Sequence, residues 1–129
     1  MLDPQTAGPL RQLAAELEKG PAVRKATAAR IRAVAGAPDP DAFLRALLAV
    51  TPADLNEVQG LIRRDEGLAL GFKAAAAQEG APGLRAAMEA EAAAAQAGAD
   101  QKAAAKQTLT ELAGLAARYD AIRRHVDGR

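Results

Sequence analysis

TPADLNEVQGLIRRDEGLALGFKAAAAQEGAPG, residues 51–83, is the stretch whose reading decides the fold. It opens with a helix start. The Thr51 hydroxyl can accept from the amide of Asp54, the Asp54 carboxylate can reach back, and Pro52 suits the first helical position. Leu55, Val58, Leu61, Ile62, Leu68, Ala69, Phe72 and Ala76 then recur at helical spacing. This predicts one helix to about Gln78, roughly 40 Å long at the usual rise per residue. Gly80-Ala81-Pro82-Gly83 reads as a turn.

Beyond the turn, Leu84 to Val126 is expected to be helical throughout or broken once, at Gly98-Ala99-Asp100. Its apolar content is lopsided. Between Leu84 and Leu109 the sole large apolar residue is Met88, whereas Leu109, Leu112, Leu115, Ala116, Tyr119, Ile122 and Val126 form a dense stripe. In an antiparallel hairpin tipped at residues 80–83, the fourth helix lies opposite the alanine-rich stretch. The dense stripe then runs past the start of that helix. It must bury itself on the N-terminal helices or on another subunit.

The first fifty residues carry clear punctuation. Asp3-Pro4 and Gly8-Pro9 precede a first helix, about Pro9 to Lys19, with Leu10, Leu13, Ala14 and Leu17 on one face. Gly20-Pro21 ends it, the glycine suited to a left-handed cap. A second helix, about Pro21 to Ala35, turns Val23, Thr27, Ile31 and Val34 inward, and Gly36 closes it. Asp39 is the expected N-cap of a third, about Pro40 to Val50, burying Phe43, Leu44, Leu47 and Leu48. The expectation is therefore an all-α fold. A three-helix N-terminal subdomain, residues 1–50, precedes a long alanine-rich antiparallel helical hairpin, residues 51–129, and the two form one structural unit.

Composition narrows the function classes. Of 64 apolar residues, 36 are alanine and 28 are larger. Alanine orders into helix at no side-chain entropy cost, but one methyl removes little area from water. Such a chain forms helices easily and builds a thin core, so its helices must pack closely or borrow surface from another chain. Net charge is +1, with no Cys, no Ser and one Asn, which reads as the codon bias of a GC-rich bacterium or its phage. The first residues hold no apolar secretory core, and no run suits a membrane span, so a soluble, cytoplasmic protein is expected.

Catalytic chemistry has little to work with. Serine and cysteine nucleophiles are absent. His125 is the lone histidine, Glu89 and Glu91 diverge on a helix, and no phosphate-cradling glycine loop or Glu-x-x-His pair occurs. No enzyme activity, cofactor or metal is expected.

Three features invite a binding role. Gly60, Gly67 and Gly71 fall on one face of the fourth helix, each costing about 1 kcal/mol relative to alanine, and with Phe72 they suggest close helix contact. Asp65 interrupts the same helix's apolar stripe and needs a partner, for which Arg118, Arg123 and Arg32 are candidates. Lys19, Arg24, Lys25, Arg30 and Arg32 form a basic run with no acid between Lys19 and Ala37, and Arg118, Arg123, Arg124, His125 and Arg129 form a second group. Of these, Arg24, Lys25, Arg32, Arg123 and Arg124 are the candidate phosphate contacts. Leu109, Leu112, Tyr119 and Ile122 are the candidate partner-seeking stripe.

The leading expectation is a non-catalytic assembly, adaptor or chaperone-like protein acting through homo-oligomerisation and helix contacts. A second is a nucleic-acid-handling oligomer with residues 20–36 on phosphates. A basic small helical domain followed by an oligomerising hairpin resembles the organisation of phage small terminase subunits, a likeness of architecture that no motif carries. A third is a monomeric regulator docking one face on a protein partner.

Overall fold

The computed structural model describes residues 2–128 and is all-helical. Its elements are α1 (Pro4–Leu17), α2 (Ala22–Ala35), α3 (Pro40–Ala49), α4 (Pro52–Gln78) and α5 (Pro82–Asp127). No described residue lies in a strand, and no helix is long and apolar enough to cross a membrane.

The start of α4 is built as its sequence implies. The Asp54 amide donates to Thr51 Oγ1 at 3.2 Å, and the Thr51 amide donates to Asp54 Oδ2 at 2.9 Å. The reciprocal pair satisfies two otherwise orphaned amides. Asp39 caps α3 by accepting from the Ala42 amide at 2.8 Å.

Helix α1 starts five residues earlier than expected. Asp3 accepts from the Thr6 amide at 2.9 Å, Pro4 takes the first helical position, and Pro9 lies inside the helix. Pro9 deprives the Gln5 carbonyl of its usual i+4 donor. The Asp3 cap and the burial of Ala7 and Leu10 favour continuing the helix through it. Gly20 and Gly36 do not form left-handed caps, since no described glycine has positive φ. Space explains Gly20 better: a methyl there would come within 2.8 Å of Arg24 Cδ.

Helix α5 is unbroken over 46 residues, with Gly98, Ala99 and Asp100 inside it. It doubles back along α4. Lys106 Nζ donates to Gln59 Oε1 at 2.8 Å, while Lys102 bonds Asp65, so positions advance on one helix as they recede on the other. Helix α5 also touches α1 and α3.

One apolar core draws on all five helices. Leu10, Leu13 and Leu17 of α1 meet Ile31 and Val34 of α2, Leu47 of α3, Val58, Leu61 and Ile62 of α4, and Leu109 of α5. Three residues expected on inner faces lie outside it, among them Leu68 of α4, which is exposed. Val23 and Leu48 are exposed, while Thr27, Ala28, Ile31, Val34 and Ala35 make the inner face of α2. Thr27 belongs inside because its hydroxyl has a buried acceptor, described below.

Candidate docking surface

The charged residues come first, because their pairing decides which surfaces remain available. Asp54 is buried, yet it is fully engaged. Arg30 Nε and Nη2 donate to its two oxygens at 2.8 Å each, and Thr27 Oγ1 donates at 2.6 Å. Burial pushes this carboxyl up, but the bonds from Arg30, Thr27 and Thr51 outweigh it and hold the pKa at about 2. Its mate Arg30 is raised, through the Asp54 bond, against the opposing effect of desolvation. The network ties α2 to the first turn of α4.

Asp65 finds a lysine rather than any of the three candidate arginines. Lys102 Nζ bonds its Oδ2 and also pairs with Glu16 at 2.9 Å, joining α1, α4 and α5 at one point. Desolvation would lower the Lys102 pKa, but the two carboxylates raise it on balance. Gly98 makes room for this cluster: a methyl there would lie 3.3 Å from Asp65 Oδ2. The glycine that invited a helix break instead seats a carboxylate.

Most of the candidate phosphate contacts are occupied. Arg24 Nε bonds Glu57 at 3.1 Å, Arg32 pairs with Glu18, and Arg123 and Arg124 both pair with Asp120. Lys25 is exposed. Arg118 is exposed on α5, and Arg129 lies outside the described residues. The arginines of α2 therefore each have a carboxylate partner, while Arg123 and Arg124 of α5 share one.

The glycines of α4 occupy different surroundings. Gly60 faces Arg24, and a methyl on it would come within 3.0 Å of Arg24 Nη2. Gly67 and Gly71 are exposed, with nothing within 4 Å of where a methyl would stand. Within this chain they are not a packing face. Phe72 is half-buried.

The C-terminal stripe of α5 divides. Leu109 is fully buried and Leu112 packs partly against the core. Further on, Leu115 is 54% exposed, Tyr119 57%, Ile122 65% and Val126 55%. Helix α3 covers one flank only. Between it and α5 lies an open groove of about 310 Å³, lined chiefly by Phe43, Leu44, Leu47, Leu112, Leu115 and Tyr119. Asp41 and Arg123 also line it. Phe43 and Leu44, expected in the core, are half-buried walls of this groove. The sequence signal for them was present in the apolar face of α3. What could not be read was that α3 is too short to cover the stripe.

Large apolar side chains gathered on one face, beside an apolar groove, suit contact with another helix. Among the described residues no cluster of His, Cys, Asp or Glu is placed to hold a metal. No protein-family model matches the chain, and neither a curated relative nor a solved structure matches it.

Proposed function

We propose that this chain is a non-catalytic assembly module, in which a three-helix head carries a helical hairpin and copies associate through the C-terminal part of α5. One observation carries the reading. Leu115, Tyr119, Ile122 and Val126 share a face and are each more than half exposed. Scattered single apolar residues on a surface need no explanation, but a contiguous row beside an apolar groove does. Burying what remains exposed of each such side chain contributes about 1–2 kcal/mol, which association can recover.

The alanine-rich half of the hairpin offers less to assembly, since Ala92, Ala99 and Ala105 are already buried within the chain and an exposed alanine has little area to bury. The nucleic-acid reading has less support. Arg24, Arg30 and Arg32 of α2 each face a carboxylate of the same chain, and phosphate contacts would have to compete with those pairs.

Light scattering after size exclusion, over a range of concentrations, tests the proposal. The expected mass is a multiple of the 13.3 kDa chain, reduced toward a single chain by Ile122→Asp with unchanged helical circular dichroism. A single-chain mass at every concentration would overturn the assembly reading in favour of a monomer that docks on a different protein.

A further inference from the structure

We draw no further inference here: the strongest candidate, the cluster of Glu16, Lys102 and Asp65 where α1, α4 and α5 meet beside a small cleft lined also by Gln12 and Gln101, belongs to the ion-pair network already described, and nothing in the structure points to a ligand that its charges would hold.

Discussion

The two halves of α5 solve opposite problems. From residue 86 to residue 99, nine of fourteen residues are alanine, and the buried positions are Ala92 and Ala99. This half is stiff by propensity and lies mainly along α4, with α1 joining it from Gly98 onward. From Leu109 onward large side chains return, and α4 soon runs out: its first residue, Pro52, lies near the level of residues 113–115 by the register of the 59–106 and 65–102 pairs. Here α3 takes over as cover, and it leaves Leu115, Tyr119, Ile122 and Val126 more than half exposed. Low apolar content makes a helix self-sufficient and quiet. High apolar content makes it stabilising where it is covered and available for association where it is not.

The largest expected effect breaks the covered part of the leucine-rich half. Leu109 is fully buried among residues of the common core. Leu109→Ala should cost about 2–5 kcal/mol, read as a lower urea midpoint. A loss below about 0.5 kcal/mol would mean that the core closes without α5 and that the halves differ less than described.

A smaller effect concerns the anchor of α4 beside that half. Asp54 is held at about 2 against an ordinary value of 3.8. A depressed carboxylate contributes stability that is fully present above pH 3.8 and is lost as the pH falls through about 2. That contribution is about 2 kcal/mol on conversion of the shift. Asp54→Asn should therefore destabilise the protein at pH 7, and the gap to the parent should narrow between pH 4 and about pH 2. A constant gap over that window would assign the loss to packing rather than to charge.

The smallest effect, and the one of opposite sign, sharpens the alanine-rich side. Gly71 is exposed, has no positive φ, and offers open space for a methyl. Gly71→Ala should stabilise by up to about 1 kcal/mol, seen as a higher melting temperature with unchanged mass. A lower melting temperature together with a smaller assembly would show instead that this glycine face is a contact between copies.

Legibility varied along the chain for physical reasons. Caps and periodicity are local, and the capping box at Thr51 and Asp54 and the Asp39 cap could be read directly. The start of α1 was misplaced because Gly8-Pro9 is a strong local stop signal, overridden by burial of Ala7 and Leu10 that only the folded core supplies. Asp65 could be recognised as needing a partner. Lys102 could not be chosen, because the choice depends on the register between α4 and α5. The basic residues of α2 looked like a patch in sequence, since Glu18, Asp54 and Glu57 come from other helices or connections.

By itself, the amino-acid sequence determined that this chain is helical and where most helices begin and end. It also determined that large apolar side chains concentrate toward the end of α5. These are properties of the backbone and its near neighbours, set within a few turns. Only the tertiary structure decided which charges neutralise one another and that α3 stops short of covering Tyr119, Ile122 and Val126. Those outcomes depend on the register and reach of elements far apart in the chain, where a shift of one helical turn, about 5.4 Å, exchanges a buried face for an exposed one.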